Sequence, residues 1–84
     1  MAGFVMRDIY KLFSGVVLVG QVRSDVLRVR MKVDVDGKIM EVKAIEMAHK
    51  QVTEVKAGDN VGLVLANANY DILVKHKGEV LEFQ

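Results

Sequence analysis

One segment of this chain alternates between apolar and polar residues. From residue 26 to residue 35 the apolar positions recur at every second residue, at Leu27, Val29, Met31, Val33 and Val35. The positions between them are charged, at Arg28, Arg30, Lys32 and Asp34. Because successive side chains of a strand point to opposite faces, this period of two predicts one half-buried strand over residues 26–35.

A hairpin is predicted directly after this strand. Asp36-Gly37 is a residue pair that favours the positive φ angles of a two-residue turn. The segment Lys38 to Met47 is then expected to return as the antiparallel partner strand.

Two further strands are predicted near the amino terminus. Phe4 to Phe13 mixes apolar and charged residues, and Ser14-Gly15 separates it from the apolar run Val16 to Val19. This pattern predicts two strands joined by a tight corner. Gly20 falls inside the second strand, where a glycine indicates a bulge or a close approach of two backbones.

The polar stretch Ala48 to Lys56 has two possible structures. Its Ala, Lys, Gln and Glu content favours a helix, whereas Val52 and Val55 are β-branched and favour extended backbone. We predict an irregular extended segment, and the helix remains the alternative.

The carboxyl-terminal part reads as short strands separated by turns. Its segments are a turn at Ala57-Gly58-Asp59-Asn60, a strand over Val61 to Ala66, a loop at Asn67-Ala68-Asn69, a short apolar segment at Tyr70 to Val74, a turn at Lys75-His76-Lys77-Gly78 and a strand over Glu79 to Phe83. With six or seven short strands in all, we expect an all-β fold in which residues 1–84 form a single small, closed, antiparallel, Greek-key-like barrel. Closure removes the edges that a small apolar sheet would otherwise expose.

Composition narrows the class of protein only modestly. The chain has 84 residues, 51% hydrophobic residues, no cysteine and a formal net charge of +1. It therefore has no disulfide framework, and its charge lacks the strongly basic balance of an autonomous duplex-binding domain. Since no run of about 18 apolar residues occurs, we expect no membrane association and a cytoplasmic location.

Catalytic chemistry has no clear candidate residues. The phosphate-binding pattern G-x-x-x-x-G-K-[ST] is absent from the sequence, so GTP hydrolysis by this chain alone is not expected. Ser14 and Ser24 fall in predicted turns without a nucleophile elbow, and Asp34 and Asp36 flank a solvated hairpin tip. We predict no catalytic residues and no cofactor. Glu46 and His49 offer two possible metal ligands, but only if they share a helix face, so no metal site is predicted.

Specific motifs resemble the second domain of translation-factor GTPases, the β-barrel of elongation factors of the Tu and 1-alpha type. The family pattern is matched by three segments, Gly15-Val16-Val17-Leu18-Val19-Gly20-Gln21-Val22, Ile45-Glu46-Met47 and Ala57-Gly58-Asp59-Asn60-Val61-Gly62-Leu63, with Val52 between the last two. The resemblance runs from about Gly15 to Leu81. It implies the family's closed barrel, which we expect here as a stand-alone domain without the family's GTPase domain.

The resemblance also implies an RNA-binding rim. In family members that carry aminoacyl-tRNA, this barrel holds the terminal adenosine and the aminoacyl group. Glu46 matches the glutamate at the adenosine, Asn60 matches the asparagine beside the aminoacyl group, and Val17 and Val64 match the aliphatic pair around the base. Ala48 and His49 stand where carriers often have His followed by Arg or His, so the family's contacts just after Glu46 are partly lost here. His49 is the fifth residue assigned to the candidate rim. Arg30-Met31 departs from the family's usual Gly-Asp.

Each candidate residue also has a structural interpretation. Val17 and Val64 could belong to the core, and the side chains of Asp59 and Asn60 could both serve their own turn. Glu46 is structural if it pairs with Lys43 or Lys50, and binding is favoured if its oxygens are free. The basic face formed by Arg28, Arg30 and Lys32 is either a solvated strand face or a contact for RNA.

Two functional hypotheses from different classes follow. The first is a non-enzymatic binding module that contacts RNA, either a tRNA acceptor end or ribosomal RNA. The second is a protein-interaction module that binds a translation-related protein or a second copy of itself. The oligomeric state is left open by the sequence.

Overall fold

Nine strands and one short helix make up the part of the chain that the computed structural model describes, residues 1–13 and 15–84. They are β1 (Ala2–Leu12), β2 (Gly15–Ser24), β3 (Val26–Arg28), β4 (Lys32–Val35), β5 (Lys38–Met47), β6 (Lys50–Val52), β7 (Glu54–Lys56), β8 (Asn60–Ala66), α1 (Tyr70–Val74) and β9 (Val80–Phe83). Ser14, which belongs to the predicted break before β2 and to the rejected candidate nucleophiles, lies outside the described residues.

Six strands close into an antiparallel barrel. Their order is β4-β9-β1-β2-β8-β5, and β5 pairs back to β4 to complete the closure. β6 pairs with the end of β5, and β3 pairs with β7 in a separate two-stranded ribbon. The predicted all-β fold with a small closed antiparallel barrel is confirmed.

The predicted hairpin is confirmed, but the single strand over residues 26–35 is wrong. Strands β4 and β5 pair around Asp36-Gly37, with Val35 opposite Lys38. Upstream of β4, the backbone turns at Arg30, whose φ of 76° lies in the left-handed region, and β3 ends at Arg28. Val29 and Met31 are both half-buried against the core on either side of this turn. Because the apolar alternation continues through the turn, the sequence pattern does not indicate that the strand ends there.

The stretch from Ala48 to Lys56 is extended rather than helical, as predicted. It forms the short strands β6 and β7. The apolar segment Tyr70–Val74, which the sequence left unassigned, is the helix α1, and the Asn69 side chain caps it by accepting a bond of 3.1 Å from the Ile72 amide. This five-residue helix, the one helix of residues 1–13 and 15–84, is too short to cross a membrane.

The barrel interior is filled by apolar side chains from every strand of the closed sheet. Phe4 and Phe83 are fully buried and meet edge to face, with ring centroids 6.2 Å apart. The predicted close approach at Gly20 is confirmed, because a Cβ there would overlap the Val5 carbonyl oxygen and stand 3.0 Å from Cζ of Phe4. Strands β1 and β2 can approach this closely only because Gly20 has no side chain.

Few backbone hydrogen bonds join β4 to β9. Near this seam the side chains of Asp36, His76 and Glu79 bond to one another, and we call this group the clasp. Lys32 and Gln84 exchange two backbone bonds of 2.7 and 2.8 Å at one end of the seam. Beyond the other end, Nε2 of His76 lies 2.9 Å from Oδ2 of Asp36, and Nδ1 lies 2.9 Å from Oε1 of Glu79. The bond to Asp36, then that to Glu79, raises the pKa of His76 above its ordinary value, and the same His76 bond lowers the pKa of Asp36.

We expect the clasp to stabilise the fold more in mild acid than in alkali. Because the folded pKa of His76 is raised, its contribution is fully present below the unfolded value of 6.5 and is lost as pH rises through the folded pKa. The pKa of Asp36 is lowered, so its contribution to stability is present above its unfolded value of 3.8. Asp36 therefore still stabilises the clasp in mild acid, where the contribution of His76 is also present. Urea unfolding should show His76→Gln to be more destabilising near pH ~5.5 than near pH ~8.5.

A matched control is His49→Gln, since His49 is exposed and forms no ion pair with another described residue. It should lower the free energy of unfolding less than His76→Gln does near pH ~5.5, because it removes no ion pair of the described residues. Equal destabilisation by His76→Gln at both pH values would show that the positive charge of His76 does not contribute to the free energy of unfolding.

Candidate functional site

An open groove on the outer face of the barrel brings most of the predicted rim residues together. Its volume is about 360 Å³, and its lining residues are Arg7, Val17, Val19, Gly20, Glu46, Met47, Ala48, His49, Asn60, Val61 and Gly62. Four of the five predicted rim residues are among them: Val17, Glu46, His49 and Asn60. The volume is at the lower end of the range for small-molecule sites, about 300–1,000 Å³.

Gly62 leaves space open in the groove because it has no side chain. On the outer face of the sheet, Gly62 of β8 lies between Val19 of β2 and Glu46 of β5 in the strand register. A Cβ at Gly62 would meet nothing closer than Cγ1 of Val17, at 3.7 Å. The missing side chain therefore leaves a slot with an aliphatic wall on one side and a carboxylate on the other.

The aliphatic wall consists of outward-facing valines rather than core residues. Val17 is half-buried and Val19 is 38% exposed, whereas the intervening Leu18 is fully buried in the interior. Val64, the fifth predicted rim residue, is opposite Val17 in the register and is also half-buried, but it does not line the groove. It extends the apolar surface beyond the groove.

Glu46 has free oxygens. It is the next-to-last residue of β5, and its side chain is exposed. Within residues 1–13 and 15–84, none of the side-chain hydrogen bonds or ion pairs involves Glu46, so it pairs with neither Lys43 nor Lys50. The geometry therefore does not support the structural interpretation of Glu46, in which its carboxylate would pair with a neighbouring lysine.

Asn60 and Asp59 have separate tasks at the start of β8. Oδ2 of Asp59 accepts a bond of 3.0 Å from the Lys56 amide, and its Oδ1 lies 3.6 Å from Nζ of Lys56. Asp59 thus serves the turn by itself. The exposed side chain of Asn60 makes no hydrogen bond to another described residue and is available at the groove.

A strained two-residue turn holds His49 at the end of the groove. Ala48 and His49 connect β5 to β6 with φ angles of 54° and 65°, both in the left-handed region. Glycine or asparagine would adopt such angles at lower cost, and residues held this way often occur at functional sites.

No cluster of three metal-ligating side chains exists among the described residues, so Glu46 and His49 have no third ligand there.

Arg7 is a groove residue that the sequence interpretation missed. The register of β1 against β2 shifts between Met6, opposite Gly20, and Asp8, opposite Val19, which makes Arg7 the extra residue of a β-bulge. The available signal was the spacing of three between the buried residues Met6 and Ile9. A regular strand would place such residues two or four positions apart.

Proteins similar to this chain are translation elongation factors. No protein-family model matches it. It is 45% identical over 60 residues to elongation factor 1-alpha of Archaeoglobus fulgidus, which covers 68% of this chain and 14% of that protein. It is 39% identical over 67 residues to elongation factor 1-alpha of Eremothecium gossypii, which covers 76% of this chain and 15% of that protein.

A solved structure shares the fold. Translation elongation factor SelB from Methanococcus maripaludis superposes with a TM-score of 0.80 at 20% identity, over 95% of this chain and 18% of that one. This chain is a translation-factor domain-2-like barrel. The domain-2-like barrel spans only about one seventh of the curated relatives, at 14% and 15% of their length.

The predicted basic face of the domain-2-like barrel is divided by the turn at Arg30. Arg28 lies on β3, where its Nε is 3.1 Å from Oε1 of Glu54. Lys32 lies on β4 opposite Glu41 of β5. The three cations therefore do not form one strand face, and two of them have acidic neighbours.

The groove of the domain-2-like barrel combines apolar surface with two polar side chains. Its floor and one wall are apolar, while Glu46 can accept hydrogen bonds and Asn60 can donate and accept them. Such an arrangement suits a flat ligand that has an apolar face and hydroxyl or amino groups at its edge. The described residues that line the groove include no serine, threonine or cysteine.

Proposed function

We propose that this domain-2-like barrel is an RNA-binding module that holds a terminal nucleoside, such as that of a tRNA acceptor end, in the groove. The observation that carries the proposal is the free carboxylate of Glu46 facing the valine wall across the Gly62 slot. The likeness to elongation factors supports a translation-related setting in the cytoplasm. Ribosomal RNA is the other RNA that this proposal admits.

Five groove residues have a defined task in this proposal. A base lies over Gly62 and against Val17 and Val19, where removing apolar surface from water contributes to affinity. Glu46 accepts hydrogen bonds from ribose hydroxyls or from an exocyclic amino group. Asn60, which also lines the groove, contacts the group attached to the terminal ribose.

GTP hydrolysis is not part of the proposed activity. The matched segments belong to the barrel, and residues 1–84 contain no phosphate-binding loop sequence. We infer a non-enzymatic role, in which the barrel supplies recognition alone.

Removing the Glu46 carboxylate should weaken RNA binding strongly. Glu46→Ala is expected to lower affinity by about tenfold or more, because hydrogen bonds to a charged group contribute about 1.5–3 kcal/mol. The measurement is fluorescence anisotropy with a labelled RNA hairpin that ends in a single-stranded 3′-adenosine.

Glu82→Ala is the matched control, since Glu82 is an exposed carboxylate on β9 and does not line the groove. It removes the same charge and should leave affinity nearly unchanged. Because losing a carboxylate makes the chain more positive, net charge alone would not weaken RNA binding in either variant. Equal losses in the two variants would show that the effect is not specific to the groove, and unchanged binding by Glu46→Ala would reject the groove as the RNA site.

A second candidate function is binding to a protein, either a translation-related partner or another copy of the chain. It is favoured by exposed apolar side chains at the end of β1: Tyr10 is 51% exposed, Leu12 46% and Phe13 fully exposed. Light scattering across a range of concentrations tests self-association. A monomer at all concentrations would remove the self-association version.

A further inference from the structure

Arg7 and Glu46 lie at opposite sides of the groove. They share one row of the outer face, in which the bulge at Arg7 and Asp8 is followed by Val19, then Gly62, then Glu46. These residues occupy β1, β2, β8 and β5, so the row crosses three inter-strand spacings of about 4.8 Å, roughly 14 Å of backbone. That separation places a cation and an anion at the two ends of an apolar slot.

The charge of Arg7 is not neutralised by its acidic neighbour. The Asp8 side chain accepts a bond of 2.9 Å from the Ile9 amide and one of 3.0 Å from the Tyr10 hydroxyl, and its Oδ1 lies 3.6 Å from Nζ of Lys77. Arg7 itself is exposed and takes part in no ion pair among residues 1–13 and 15–84. Its guanidinium is therefore available to a ligand in the groove.

We propose that Arg7 binds the 5′-phosphate of the nucleotide whose nucleoside occupies the groove. This inference rests on the proposed function, which places a terminal nucleoside between the valine wall and Glu46. A nucleoside at the 3′ end of RNA carries its phosphate on the 5′ side alone. With the ribose hydroxyls at Glu46, that phosphate extends toward β1, where the guanidinium can bond two of its oxygens.

The test compares adenosine, adenosine 5′-monophosphate and adenosine 3′-monophosphate as ligands of the full chain. Their affinities are measured from amide shifts in ¹H–¹⁵N NMR titrations at low and moderate salt. The 5′-monophosphate should bind about tenfold more tightly than adenosine, and this advantage should shrink as salt increases. Arg7→Gln should lose this advantage, so that it binds adenosine and adenosine 5′-monophosphate with equal affinity.

Arg23→Gln is the matched control, because Arg23 is an exposed arginine of β2 outside the groove. It should keep the preference for the 5′-monophosphate. Equal binding of adenosine and its 5′-monophosphate, a preference for the 3′-monophosphate, or an advantage that survives in Arg7→Gln would each overturn the role of Arg7 while leaving the nucleoside site standing. Failure of all three ligands to shift the groove amides would overturn both this inference and the proposed function.

Discussion

Replacing Gly20 by alanine is expected to destabilise the barrel by on the order of 3 kcal/mol, which is a large share of the stability of a small domain. The added Cβ would overlap the Val5 carbonyl oxygen, a backbone atom that cannot move without opening the β1–β2 pairing. Phe4, whose Cζ would lie 3.0 Å from the new methyl group, is fully buried and cannot turn away. Urea unfolding followed by circular dichroism measures the effect.

Gly62→Ala provides the comparison for this result. Gly62 is also a strand glycine, but its new Cβ would have an ordinary contact of 3.7 Å with Val17. We expect little change in the free energy of unfolding, or a slight gain, since glycine weakens a strand interior. Similar destabilisation at the two positions would mean that loss of glycine itself, rather than the overlap with Val5, is responsible.

Replacing Gly62 by valine is expected to abolish RNA binding while the fold is kept. A valine side chain would occupy the slot between Val19 and Glu46, where the base is proposed to lie. Valine suits a strand, and the φ angle of Gly62 is not in the left-handed region. Affinity for the RNA hairpin should fall by more than about tenfold, and the unfolding midpoint in urea should not fall.

The smaller variant Gly62→Ala shows whether Gly62→Val acts by filling the slot or through the loss of glycine itself. Its single methyl group leaves most of the slot open, so it should retain most of the affinity. Full-strength binding by a folded Gly62→Val protein would place the RNA elsewhere on the surface.

The sequence predicted those features that arise from local patterns. Asp36-Gly37 directly after an alternating segment was enough to locate the β4–β5 hairpin, and Gly20 indicated the close approach to β1. The β-branched Val52 and Val55 correctly outweighed the helix-favouring composition around them. In each case the responsible residues act within their own strand or against its immediate neighbour.

Features that depend on pairing between distant segments were missed. The left-handed turn at Arg30 interrupts a perfect alternation, and the Arg30 amide bonds to the Val42 carbonyl at 2.8 Å, a partner 12 positions away that no local pattern reveals. Arg7 became a groove residue only through the register shift of β1 against β2. The resemblance supplied four of the groove residues, but the empty space above Gly62 required the assembled sheet.

An NMR titration of the ¹⁵N-labelled chain with an RNA hairpin that ends in a single-stranded 3′-adenosine tests the central claim most directly. The account predicts saturable shifts that concentrate on the amides of Val17, Val19, Glu46, Asn60 and Gly62, and that disappear with the same hairpin lacking its single-stranded end. Shifts confined to the segment from Arg28 to Lys32, or no saturable shifts at all, would contradict it.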